Sequence, residues 1–516
     1  MFNYIINHEY KGKDKFIFIF LTCMLFVLPI ILSDSLYMDD KYRLIDGDFV
    51  WEDEGRYLTT LIFQLLSLNA QHVFNFFPLT LIIGIVFFSY AIYYVTEKLN
   101  IKSTILNISP LFLIICNPFF LQNLSYQFDS IAHLFSIGLI LISFFYENKN
   151  KNKEILVSIL LITCSAFLYQ PSINIYIILY CANVIFNIQN KEESLIKYTM
   201  RSAIIYISGT LLYYIIYTLQ FKYIFEKIYE RNKMINISDL FQSYELSTKT
   251  LIFILKSFYG KPIFYIICFL SIVLIFTILK KIYKEIKKEN NTVSHKIINS
   301  IIYLVIPILI YSSLWGPFIL LHEKFFNPRD YVVIGSILML LSYSLILTNK
   351  KYNLIKVSIQ FLILLNFFSM SYLYGNILNY DNKYITYIND NISRDMEKYH
   401  NQVDGKKIFV FGRQGVSRYA KMTLDNNPYF KILLYPDNSN FFKSYDLYVP
   451  KVEKFGYVDN VKEWNYICKY NIKPLVSTPT YDIYSFEKYV SIWYKRVDNF
   501  CDNIPTDRTN SFKELK

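Results

Sequence analysis

Between Ser33 and Arg56 the chain gathers carboxylates: Asp34, Asp39, Asp40, Asp46, Asp48, Glu52, Asp53 and Glu54, against only Lys41, Arg43 and Arg56 as bases. Paired carboxylates such as Asp39 and Asp40 suit general-base chemistry or a divalent cation. A carboxylate base takes the proton from a hydroxyl as that hydroxyl attacks. Nearby arginines can hold a phosphate leaving group through bidentate bonds. The plainer alternative is that Asp34 and Asp39 cap a short helix and the other acids form a solvated face. Residue chemistry alone leaves both open.

Further candidates stand elsewhere. Asp129 sits at the mouth of an apolar run beside Tyr126 and Gln127. An ionisable group there is costly in lipid and tends to face a cavity; its alternative is to cap the next helix with Ser130. His133, one turn on, reads as a paired structural histidine. Tyr169 and Gln170 can contact hydroxyl-rich ligands or anchor at the interface. Arg329 is a candidate for a lipid phosphate, or else pairs with Asp330. His322 and Glu323 are two metal-capable residues, too few for a site. Arg231 and Lys233 can meet phosphates or simply cover surface. Among the aromatics only Tyr37, Trp51, Tyr126 and Tyr169 are singled out for substrate contact.

These residues need a scaffold, and the composition says which. The chain is 53% hydrophobic and only 18% charged, with positive mean hydropathy. That places it in the membrane class. The net charge of +12 does not point to nucleic acid, because the lysines lie in short loops between apolar runs. Apolar runs fall near 16–33, 76–96, 103–117, 130–147, 154–169, 172–188, 202–220, 261–279, 297–315, 331–347 and 354–374. They predict about eleven transmembrane helices. The 103–117 run is short and holds Pro110, and Gln170-Pro171-Ser172 joins two runs as a tight hairpin or a broken pair. The 57–69 and 248–259 runs read as interfacial helices. The first run follows Lys11, Lys13 and Lys15 like a signal peptide, but no small-residue cleavage site follows, so it reads as uncleaved.

Lys and Arg bias puts the N-terminus inside, with Lys280-Lys281 to Lys287-Lys288 as a strong cytoplasmic marker. The acidic loop and the tail then lie outside. In the tail, Lys406–Gly412, Lys431–Pro436 and Tyr481–Phe486 read as strands and Ser417–Leu424 as a helix. The expected architecture is an all-α polytopic membrane protein, residues 1–374, with a small C-terminal α/β extracytoplasmic domain, 375–516. Cys23, Cys116, Cys164, Cys181 and Cys268 read as small core hydrophobes. Cys468 and Cys501 are either bridged or two thiols. No cysteine pair has metal-ligand spacing, and no Gly-rich phosphate loop or dinucleotide fingerprint is present.

Tyr37-Met38-Asp39-Asp40, then Arg43, Gly47, Trp51 and Gly55-Arg56, resembles the opening loop of the Gtr-type (type II) O-antigen glucosyltransferases, polytopic enzymes of the GT-C class. Asn117-Pro118-Phe119 with Asn123 to Ser130 resembles that family's second outer loop. Leu168-Tyr169-Gln170-Pro171-Ser172 resembles its Tyr-Gln hairpin. The likeness in kind covers most of the chain, with its motifs confined to these patches; the tail matches in position and size only.

The resemblance implies a GT-C-like fold and a polyprenyl-phosphate sugar donor, typically undecaprenyl-phosphate glucose. It implies a lipid-linked glycan such as O-antigen as acceptor, and inverting transfer at the periplasmic face of the bacterial inner membrane. Carried over residue by residue, Asp39 or Asp40 is the base. Asp40 is preferred because it lies one helical turn from Arg43. Arg43 and Arg56 would hold the donor phosphate, and Arg329, outside the matching patches, is added to them from its own place in an outer loop. Tyr37, Trp51, Tyr126, Asp129, Tyr169 and Gln170 would line the substrate site. No cofactor is certain, and a divalent cation stays open. A lipid-linked oligosaccharide flippase would instead place charges along span interiors and show two related halves. An O-antigen polymerase would concentrate its site in large loops midway along the chain.

Overall fold

A helix with apolar residues on two faces is stable only if one packs on protein and the other meets lipid. In the computed structural model the first helix, α1 (Gly12–Ser33), buries Ile19, Cys23, Phe26 and Ile30 and exposes Ile17, Leu21, Leu25 and Leu32. The structure describes residues 8–99, 102–186, 194–220, 235–288, 292–320, 327–347, 353–413, 415–434, 472–487 and 489–495.

After α1 come α2 (Asp40–Asp46), α3 (Tyr57–Ser67), α4 (Leu79–Lys98), α5 (Ile105–Phe112), α6 (Leu121–Ser125) and α7 (Ser130–Phe145). Then follow α8 (Lys151–Leu168), α9 (Ile175–Phe186), α10 (Leu195–Gln220), α11 (Leu240–Lys256) and α12 (Pro262–Ile286). The last of this series are α13 (Val293–Ser313), α14 (Val333–Leu347) and α15 (Asn353–Lys398). Among the described residues six helices are long and apolar enough to cross a membrane: α1, α4, α10, α12, α13 and α15. Helices α3, α7 and α14 and the 170–186 stretch are apolar but shorter. The protein is a polytopic, helical membrane protein.

Ten of the expected spans coincide with helices, but the 103–117 run does not form one. Its helix, α5, has 8 residues and reaches about 12 Å, far short of a bilayer core. Beyond it the backbone turns, and the Asn117 side chain accepts from the Phe119 N–H to cap a 3₁₀ turn at Pro118–Phe120. The amide of Asn117 also donates to the carbonyls of Leu113 and Ile114, at 2.9 and 3.1 Å. A polar cap inside an apolar run ends the helix.

The chain divides into two units, residues 1–31 with 48–373, and residues 32–47 with 374–516. The acidic loop is thereby shared between them. In the first unit small residues let helices approach: a Cβ on Gly84 would lie 2.7 Å from Leu134, and one on Gly138 2.6 Å from Phe87. Serines bond across α7 and α8, with Ser143 and Ser158 each donating to the other's carbonyl at 3.0 Å.

The second unit adds α16 (His400–Val403), β1 (Lys407–Arg413), α17 (Arg418–Asn426), α18 (Pro428–Leu433), β2 (Val476–Ser477), β3 (Tyr481–Ser485) and β4 (Tyr489–Lys495). The strand order is β1-β4-β3-β2, with β1 and β4 parallel and the other pairs antiparallel. Ile388, Ile392 and Met396 of α15 pack with Ile408, Ile483 and Ile492 of the sheet. Of the strand expected at 431–436, residues 431–433 are instead the end of α18, and residues 435 and 436 lie outside the described residues. Pro428 starts that helix, and Tyr429, Phe430 and Leu433 are buried along it. Cys468 and Cys501, like Arg231, Lys233, His322 and Glu323, lie outside the described residues.

Candidate active site

Trp51 and Arg56 are brought side by side by a tight turn. The Arg56 N–H donates to the Trp51 carbonyl at 2.8 Å, and the Gly55 N–H to Glu52 at 2.9 Å. Gly55 has φ +74°. A Cβ there would lie 2.5 Å from the Tyr217 ring and 2.7 Å from the Tyr213 hydroxyl, so only glycine fits.

From that turn both side chains reach one carboxylate. The Trp51 indole N–H donates to Asp129 Oδ1 at 2.7 Å, and Arg56 Nη1 donates to the same oxygen at 3.4 Å. Asp129 is buried and occupies the N-cap position of α7, yet its side chain makes no capping bond. Its carboxylate is turned to Trp51 and Arg56 instead of the helix backbone. Trp51 is seated by stacking on Phe63, with ring centroids 4.9 Å apart.

Arg56 is enclosed by partners. It pairs with Glu54 at 3.3 Å and with Asp129 at 3.4 Å. Its Nε donates to Gln170 Oε1 at 3.4 Å, and its guanidinium lies over the Tyr169 ring at 5.2 Å. Gln170 donates onward to the Glu54 carbonyl at 2.7 Å and the Tyr213 hydroxyl at 2.8 Å.

The α8–α9 junction is a broken pair: α8 ends at Leu168 and a 3₁₀ turn runs from Gln170 to Asn174. Pro171 prevents the helix from continuing. The Tyr169 carbonyl freed by the break accepts from the Ser136 hydroxyl at 3.0 Å. The break turns Tyr169 inward, where its hydroxyl donates to the Arg329 carbonyl at 2.8 Å and accepts from Asn123 Nδ2 at 3.1 Å. His133 Nδ1 meets the Asn123 carbonyl at 3.0 Å, and its ring lies 4.1 Å from that of Tyr169.

Arg329 sits in a 3₁₀ turn, Pro328–Asp330, with a capping box between Asn327 and Asp330. Asp330 accepts from the Asn327 N–H at 2.9 Å. The guanidinium of Arg329 lies 5.1 Å from the centroid of Tyr126. The first unit thus brings together Trp51, Arg56, Tyr126, Asp129, Tyr169, Gln170 and Arg329.

Tyr37, Asp39, Asp40 and Arg43 belong to the second unit. The Tyr37 hydroxyl donates to the Leu433 carbonyl at 2.6 Å, tying the loop to the end of α18. Asp40 is fully buried, and its Oδ2 accepts from the Tyr37 N–H at 3.2 Å. Arg43 is buried one turn later, and α2 ends at Gly47 in the left-handed region, φ 72°. Asp39 is half-buried at the N-cap position and makes no capping bond. No group of three or more His, Cys, Asp or Glu side chains among the described residues could hold a metal.

A family model described as Glucosyl transferase GtrII matches residues 28–340. The chain belongs to that family. The match to the GtrII family takes in the acidic loop and every site residue of the first unit, and it ends before the C-terminal sheet. A relative described as an uncharacterized 55.3 kDa protein in the gtrB 5′ region of Salmonella phage P22 is 30% identical over 187 residues, 36% of this chain and 38% of the relative. The aligned part is thus well under half the relative's length. No solved structure matches the chain.

Sequence reasoning missed Glu54, Gln122 and Tyr213 as site neighbours. Tyr213 is one of 47 tyrosines, and nothing in its local pattern marks it out. Gln122 lies next to Asn123 in a motif patch, where an uncharged amide within an apolar stretch was the available signal.

Proposed function

We propose that the protein is a membrane glycosyltransferase that moves a hexosyl group, glucose, from a polyprenyl-phosphate sugar to a lipid-linked surface glycan such as O-antigen. Transfer takes place at the periplasmic face of a bacterial inner membrane, with the N-terminus cytoplasmic and the C-terminal domain periplasmic. The supporting observation is membership of the GtrII family over residues 28–340, the stretch that carries the clustered acids, arginines and aromatics.

In the reaction an acceptor hydroxyl oxygen attacks the anomeric carbon and forms the new glycosidic bond. The bond from that carbon to the phosphate oxygen breaks, and polyprenyl phosphate leaves with the electron pair. The hydroxyl proton passes to a first-loop carboxylate, and the anomeric centre inverts. Asp39 suits the base better than Asp40. It is half-buried, whereas Asp40 is fully buried and holds the Tyr37 backbone. Arg43, close to both in α2, supplies positive charge beside them. Asp129, already accepting from Trp51 and Arg56, orders the site and does not act as base.

The test is transfer by membranes containing the chain, given labelled polyprenyl-phosphate glucose and the glycan. Labelled glycan with inverted linkage is expected. Label moving only from a nucleotide sugar, or an intact lipid-linked glycan crossing the membrane without modification, would overturn the proposal.

A further inference from the structure

The two arginines of the first-unit cluster differ in one respect. Arg56 lies between two carboxylates. Among the described residues no carboxylate pairs with the Arg329 guanidinium, which rests on the Tyr126 ring. Arg329 is nevertheless held firmly at its backbone. Its N–H donates to Gln122 Oε1 at 3.0 Å, and its carbonyl accepts from the Tyr169 hydroxyl at 2.8 Å. Gln122 and Tyr169 come from α6 and the α8 end, 207 and 160 residues away in sequence. Pro328 before it and the Asn327–Asp330 capping box stiffen the same turn. A cation held on both sides of its backbone, with its guanidinium over an aromatic face, is arranged to receive an anion.

We infer that Arg329 is the receptor for the donor's phosphate, and that Gln122 and Tyr169 are positioning residues that clamp it. Arg56 is then a positioning residue for Asp129. This assignment rests on the proposed transfer reaction for the identity of the donor, but the anion site itself does not need that reaction. The ligand chemistry is a phosphate ester at the head of a prenyl chain.

The experiment measures binding to purified full-length protein in detergent. The probes are a short-chain prenyl phosphate, the matching prenyl alcohol, inorganic phosphate alone, and vesicles containing phosphatidylglycerol. The expected result is that prenyl phosphate binds and Arg329→Gln weakens it at least about tenfold, roughly the loss of one charge-assisted bond. Tyr169→Phe, which keeps the ring and removes the clamp bond, should weaken it several-fold. Arg329→Lys should recover part of the affinity, and alcohol binding should change in none of them. Equal phosphate binding by wild type and Arg329→Gln overturns the inference. So does an Arg329 effect seen only with inorganic phosphate or only with phosphatidylglycerol vesicles. Glucose transfer that persists without Arg329-dependent phosphate binding overturns the inference and leaves the proposed function standing. Arg329-dependent binding without any transfer does the reverse.

Discussion

The indole of Trp51 and the carboxylate of Asp129, 78 residues apart in sequence, meet at 2.7 Å. The bond fixes Trp51 to the start of α7 at a buried point. Trp51→Phe keeps most of the packing on Phe63 but removes the donor. The expected cost is about 1.5–3 kcal/mol, the range for a hydrogen bond to a charged group. A lower unfolding midpoint of the detergent-solubilised protein measures it. An unchanged midpoint would mean the bond adds nothing to stability.

Gly55→Ala should be worse than its small size implies. The residue has a positive φ, and its new methyl would meet Tyr217 at 2.5 Å. Backbone strain of about 1 kcal/mol or more adds to that contact. Membrane levels of the variant should fall. Adding Tyr217→Ala should recover only part of the loss, because it relieves the contact and not the φ.

Asp395 makes the stability of the second unit depend on acid. Its carboxylate accepts from the Tyr481 hydroxyl at 2.7 Å and from Lys398 at 2.9 Å. Burial opposes its charge, but these bonds and the charges of Lys398 and Arg394 outweigh burial and hold it below its ordinary value of 3.8. A group with a depressed folded value stabilises fully above its unfolded value and loses that contribution as pH falls through the folded one. Hydrogen exchange at the β3 amides should therefore speed up as pH drops below about 4, after correction for intrinsic rates. Asp395→Asn should remove that added acid sensitivity.

Much of this was legible in the residues. Apolar runs gave helices at ten of the eleven expected places, six of them long and apolar enough to cross a membrane, because length and hydropathy decide such segments. The 103–117 run failed because Asn117 caps a turn inside it, a local hydrogen bond that average hydropathy does not register. Residues 431–433 are helix and not strand because Pro428 starts a helix whose apolar residues share a face. For the candidate site, residue type singled out Asp129, Tyr169, Gln170 and Arg329, which the first unit brings together, since polar groups in apolar surroundings stand out. It could not show that Asp129 serves Trp51 in place of its own helix, or that Gln122 grips the Arg329 backbone. Those pairings depend on the tertiary fold and leave no periodic mark.

The base proposed for sugar transfer is a first-loop carboxylate. The most direct test is the rate of glucose transfer to the acceptor glycan in membranes carrying Asp39→Asn, Asp40→Asn or both, with protein levels matched. Removal of a general base should lower the rate about 10²–10⁴-fold in the double variant, with Asp39→Asn alone accounting for most of it. Full transfer by both single variants and the double variant would contradict the account.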